Sequence, residues 1–132
     1  MRKPIKIAVI GCGRVAEHYK KIFDSDVVSN WRMVGFFDLI SERSDSFARH
    51  FNTKAFDNYE EMLNACEPDL VLILTPSGLH YQHTKIALNH SCNVLTEKPV
   101  TMLPDEAIEL EQIAKSNKLM YGVAFQNRLN PA

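Results

Sequence analysis

Gly11, Gly13 and Ala16 in the run Gly11-Cys12-Gly13-Arg14-Val15-Ala16 have the spacing of a GxGxxA turn. The chemistry of such a turn is anion binding. Its first glycine permits a tight strand-to-helix turn, its second lets the backbone approach a pyrophosphate, and its small third residue lets helix and strand pack closely. The N–H groups of the helix that opens at Arg14 and Val15 would then face the phosphates without needing a lysine. A glycine-rich turn with no ligand would show the same letters, so a second residue is needed. Asp38 supplies it, about 20 positions further on, where an acidic side chain accepts from both hydroxyls of an adenosine ribose. A carboxylate there opposes a 2′-phosphate and favours NAD over NADP. Arg43 is near enough in sequence to offset that repulsion, so NADP stays possible.

A third cluster, Thr75-Pro76-Ser77-Gly78-Leu79-His80, follows the most apolar segment of the chain. Ser77 is a candidate helix cap, and its hydroxyl together with the turn around Thr75 and Pro76 could also line a pyrophosphate. His80 and His83 stand three apart on one helix with no third ligand nearby, which argues against a metal site. They read more simply as helix-surface or capping residues, with His80 at the border of the binding cluster. The fourth cluster is Glu97-Lys98-Pro99. Pro99 biases Lys98 toward extended backbone, aiming its ammonium into a crevice, where it could position a substrate hydroxyl or move that hydroxyl's proton. A solvated loop lysine is the alternative for Lys98.

These clusters need elements to hold them. Ile5 to Ile10, Trp31 to Phe37, Lys54 to Phe56, Asp69 to Thr75, Asn93 to Glu97 and Met120 to Phe125 read as strands, the fourth of them central by its unbroken hydrophobicity. Helical spacing runs from Arg14 to Phe23, from an N-cap at Ser41 through about Phe51, over Tyr59 to Cys66, over about Leu79 to Asn89, and from Pro104, a first-turn proline, to Asn117. Strands alternating with helices predict an α/β fold, a doubly wound, mostly parallel six-stranded Rossmann sheet with helices on both faces. With 132 residues, 45% apolar and 23% charged, one dinucleotide-binding domain spanning 1–132 is expected. A formal net charge of −1 supplies no field for nucleic acid or an anionic membrane surface. Three widely spaced cysteines predict reduced thiols and a cytoplasmic setting.

GCGRVAEHY at 11–19, Asp38, TPSGLH at 75–80 and EKP at 97–99 together resemble the nucleotide-binding domain of the Gfo/Idh/MocA oxidoreductases, the glucose-fructose oxidoreductase and inositol dehydrogenase family. The resemblance implies hydride transfer between NAD, or NADP, and a sugar, polyol or nucleotide-sugar substrate. By the same resemblance Glu97 meets the nicotinamide ribose, Lys98 acts at the substrate, and Gln126 lies near the nicotinamide. The tail Gln126-Asn127-Arg128-Leu129-Asn130-Pro131 is most similar to UDP-N-acetylglucosaminuronate 3-dehydrogenases. The family continues into a substrate domain that this chain does not contain, and a homo-oligomer is expected of the full-length form. The competing expectation is a stand-alone NAD-binding or sensing module that never catalyses.

Overall fold

Side chains of the N-terminal apolar run alternate between two faces, because a strand has a period of two. Ala8 and Ile10 of strand β1 (Ile5–Ile10) join one buried cluster, while Ile7 and Val9 join another. The computed structural model describes residues 3–99 and 101–124. After β1 come α1 (Arg14–Asp24), β2 (Trp31–Phe37), α2 (Ser41–His50), β3 (Ala55–Phe56) and α3 (Tyr59–Cys66). The second half holds β4 (Leu70–Ile73), a 3₁₀ turn at Ser77–Leu79, α4 (His80–Asn89), β5 (Asn93–Glu97), α5 (Pro104–Ser116) and β6 (Tyr121–Ala124).

The strands form one sheet in the order β3-β2-β1-β4-β5-β6, with every pairing parallel. Residues of α1 and α2, such as Ala16, Phe47 and Ala48, cover one face with Val9, Phe36 and Leu72. Residues of α3, α4 and α5, such as Leu63, Leu88 and Leu110, cover the other with Ile10, Val71 and Ile73. Burial on both faces explains why β4 reads as an unbroken apolar run and β1 as one from Ile7 onward, each fully buried aliphatic side chain contributing about 1.5–3 kcal/mol.

Several boundaries differ from the sequence expectation. Ser41 is the first residue of α2, and the capping position belongs to Ile40, whose side chain cannot accept a hydrogen bond. β4 is shorter than Asp69 to Thr75: Asp69 lies just before it, its carboxylate accepting from the Lys6 N–H at 2.9 Å, and Thr75 already belongs to the turn. β3 keeps only two residues. Pro104 stands in the first turn of α5, as expected. Phe125, assigned to the last strand, lies outside the described residues. A register shift between Ile7 and Ala8 in the β1–β2 pairing places Val34 without a partner on β1. No helix among the described residues is long and apolar enough to cross a membrane.

Candidate functional site

Because all six strands run the same way, their C-terminal ends gather at one edge. The strand order reverses direction there, between β1 and β4, which is where open α/β sheets form a ligand crevice. A crevice of about 490 Å³ lies at this edge, within the range of small-molecule sites. Eleven of the twelve candidate site residues line it, Gly11, Gly13, Arg14, Val15, Asp38, Thr75, Pro76, Ser77, His80, Glu97 and Lys98, and so does Arg43. Gln126 lies outside the described residues.

Gly11 sits where β1 turns away beneath β4. Its N–H donates to Phe37 O at 2.8 Å, and its φ of 101° lies in the region that favours glycine. A Cβ there would stand 2.6 Å from Leu74 C and 2.7 Å from Thr75 N. Gly13 is different. A Cβ at Gly13 would point into the crevice and approach only Arg43 Nη1, at 3.6 Å, so the space in front of this residue is open for another group. Gly13 also holds the N-cap position of α1 with no side-chain hydrogen bond closing the helix end, which leaves the first-turn N–H groups directed at that space.

Asp38 is built into the same turn. Its Oδ2 accepts from the Cys12 N–H at 2.7 Å and its Oδ1 from the Ile40 N–H at 2.8 Å. Both oxygens are thus oriented, and each keeps lone-pair capacity for a further donor. Beside it the buried Cys12 thiol donates to Phe37 O. Burial pushes that thiol up to about 12, the Asp38 carboxylate pushing the same way and Arg43 against it. It therefore remains an inert thiol.

The far wall is tied by side chains. Tyr19 of α1 donates its hydroxyl to Glu97 Oε1 at 2.8 Å, joining the helix after the glycine turn to the end of β5. Burial and the Glu97 contact raise the Tyr19 phenol above its usual range, so it stays a donor. His80 and His83 are buried, contrary to the surface or capping roles expected of them. His80 places Nδ1 2.6 Å from Pro99 O and Nε2 2.6 Å from Thr75 O. His83 pairs Nδ1 with Thr75 Oγ1 at 3.0 Å and packs edge-on against Tyr59. Burial, then the neighbouring His80, push the His83 imidazole down to about 4. Ser77 caps nothing. It is exposed at the start of the 3₁₀ turn, and Leu79 takes the position before α4.

Sequence reasoning missed Leu39, Ile40 and Leu74 in the crevice, and the Tyr19–Glu97 tie. Leu39 and Ile40 are exposed apolar side chains directly after Asp38, and that exposed pair was the signal available. Lys98 is exposed at the crevice mouth, with a cis peptide bond to Pro99.

Residues 5–125 match the family described as an oxidoreductase family with an NAD-binding Rossmann fold, GFO_IDH_MocA. The chain is 29% identical over 126 residues to D-glucoside 3-dehydrogenase of Escherichia coli, covering 95% of this chain and 36% of that protein. It is 27% identical to UDP-N-acetylglucosamine 3-dehydrogenase of Acidithiobacillus ferrooxidans, covering 97% and 39%. The structure of the WlbA dehydrogenase from Chromobacterium violaceum, in complex with NADH and UDP-GlcNAcA, superposes with a TM-score of 0.87 at 25% identity, covering 98% of this chain and 37% of that one. The chain thus spans little more than a third of the length of the relatives it matches.

Proposed function

Since the chain belongs to the Gfo/Idh/MocA oxidoreductase family, with its NAD-binding Rossmann fold, we propose that it is the cofactor-holding part of a dehydrogenase acting on a sugar, polyol or nucleotide-sugar. One observation carries the reading. The open space at Gly13, the doubly anchored Asp38 carboxylate and the Lys98 ammonium line a single crevice at the reversal point of the sheet.

In this reading Asp38 accepts from the adenosine ribose hydroxyls, and Leu39 and Ile40 offer apolar surface to the adenine. The α1 N-terminus at Gly13, Arg14 and Val15 meets the pyrophosphate, with Thr75, Pro76 and Ser77 opposite. Glu97, and Gln126 by family analogy, serve the nicotinamide half. When bound, the dinucleotide supplies hydride donation or acceptance. Lys98 holds the reacting substrate hydroxyl and moves its proton at Nζ. The remaining wall of the substrate site would come from a further domain of a longer protein, consistent with the third of each relative that the chain spans. A cytoplasmic homo-oligomer is part of the same proposal.

Calorimetric titration with NAD and NADP tests it. NAD is expected to bind more tightly, because the Asp38 carboxylate accepts from a diol and repels a phosphate. Asp38→Ala is expected to weaken NAD by about 1–3 kcal/mol, since two backbone donors and the ribose lose a charged acceptor together. Equal or reversed preference would transfer the deciding role to Arg43.

A further inference from the structure

His80 has an arrangement that the cofactor reading leaves unexplained. A carbonyl oxygen only accepts hydrogen bonds, and a neutral imidazole carries one donor and one acceptor nitrogen. Both ring nitrogens of His80 face carbonyl oxygens at 2.6 Å, Pro99 O on one side and Thr75 O on the other. A neutral ring would set one nitrogen lone pair against a carbonyl lone pair at that distance. A ring with a proton on each nitrogen makes two charge-assisted bonds, which are the short ones.

The position of the two carbonyls gives the contact its purpose. β4 and β5 pair in parallel as far as Ile73 and Thr96, and then the two segments separate to form the crevice. Thr75 O and Pro99 O lie beyond that ladder, where no strand pairing reaches them. His80 supplies both donors from the first residue of α4 and is itself 1% exposed. Fixing Pro99 O against Thr75 O fixes the Lys98 backbone relative to the Thr75–Ser77 turn.

The geometry points to His80 as the positioning residue of this site, a doubly protonated buried imidazole that clamps the segment after β4 to the segment after β5 and so sets Lys98 against the cofactor wall. The clamp itself rests on the hydrogen-bond geometry, and its service to Lys98 and the cofactor rests on the function proposed above. Two short carbonyl acceptors offset part of the cost of burying that charge. The neighbouring His83, held neutral by burial, adds no opposing charge.

Two measurements on this chain test the clamp. In ¹⁵N-histidine spectra at neutral pH, His80, assigned through its ring-to-backbone correlations in the wild type, is expected to show a bonded proton on both ring nitrogens. A single protonated nitrogen would overturn the clamp. His80→Gln is then titrated with NAD by calorimetry and with 5′-AMP by chemical-shift perturbation. NAD affinity is expected to fall about tenfold or more, the scale of one lost charge-assisted bond, with 5′-AMP unchanged because Asp38 holds the adenosine half. Equal losses for both ligands would make His80 a general fold residue and overturn its positioning role, as would no loss for either. A wild-type chain that binds neither ligand would sink the dinucleotide reading and with it the service to Lys98, while the two-proton signal would still decide the clamp.

Discussion

Gly11 and Gly13 stand two positions apart and resist enlargement for different reasons. At Gly11 an added methyl would meet the backbone of Leu74 and Thr75 within 2.8 Å, from a φ that L side chains rarely adopt. Neither strand can move aside without breaking the β1–β4 pairing. Gly11→Ala is therefore expected to destabilise the fold by about 3 kcal/mol or more, read from the urea midpoint. At Gly13 an added Cβ would have only the end of a flexible arginine within 4 Å, and a branched side chain built on it would extend into the crevice. Gly13→Val is expected to keep stability within about 1 kcal/mol of wild type while abolishing NAD binding by calorimetry. A Gly13→Val chain with wild-type affinity would move the pyrophosphate elsewhere. Both glycines are legible in the sequence as one motif, but the division of labour is not, because Leu74 and Arg43 reach them only through the fold.

The pairing of elements decides a second group of properties. His83 on α4 is neutral and buried against Tyr59 of α3, with Thr75 after β4 on its ring nitrogen and His80 one turn away on its own helix. Its pKa falls from 6.5 in the unfolded chain to about 4 in the fold. Between those values the unfolded chain binds more protons, so this contribution is fully present above about pH 6.5 and is lost as pH falls toward 4. Urea titrations of the wild type and His83→Gln across that window should differ in slope. The wild type is expected to lose roughly 1–3 kcal/mol more than the variant between the two ends, allowing for solvent screening. Parallel curves would show that His83 does not carry the dependence. Element positions were mostly legible, because β-branched runs and helical spacing are local signals. The burial of His80 and His83 was not, since a short polar sequence reads as surface until Tyr59, Thr75 and Pro99 close around it. Tyr19 and Glu97 likewise sit 78 positions apart and meet only across the sheet. The caps expected at Ser41 and Ser77 failed because a hydroxyl near a helix start is a local signal with many competitors. A side-chain cap does form on α3, where Asn58 accepts from the Glu61 N–H at 2.9 Å.

At the scale of the whole molecule, the parallel sheet brings four separate segments to one edge and leaves Lys98 exposed at its rim. Binding and turnover should therefore separate. The crevice is assembled from segments that follow β1, β2, β4 and β5, with Lys98 exposed at its mouth, and in the function proposed above the substrate meets this chain on one side only. This chain is expected to bind NAD and to form no reduced nicotinamide with sugar acids, nucleotide sugars or polyols. In the longer protein proposed above, Lys98→Ala is expected to lower kcat by about 10²–10⁴-fold, the range of general acid-base assistance, with NAD affinity nearly preserved. A lysine with a purely structural role would instead lower the melting temperature and leave kcat in place. Robust turnover by the 132-residue chain, or an unimpaired Lys98→Ala enzyme, would remove Lys98 from the proton path and place the substrate site elsewhere on the sheet.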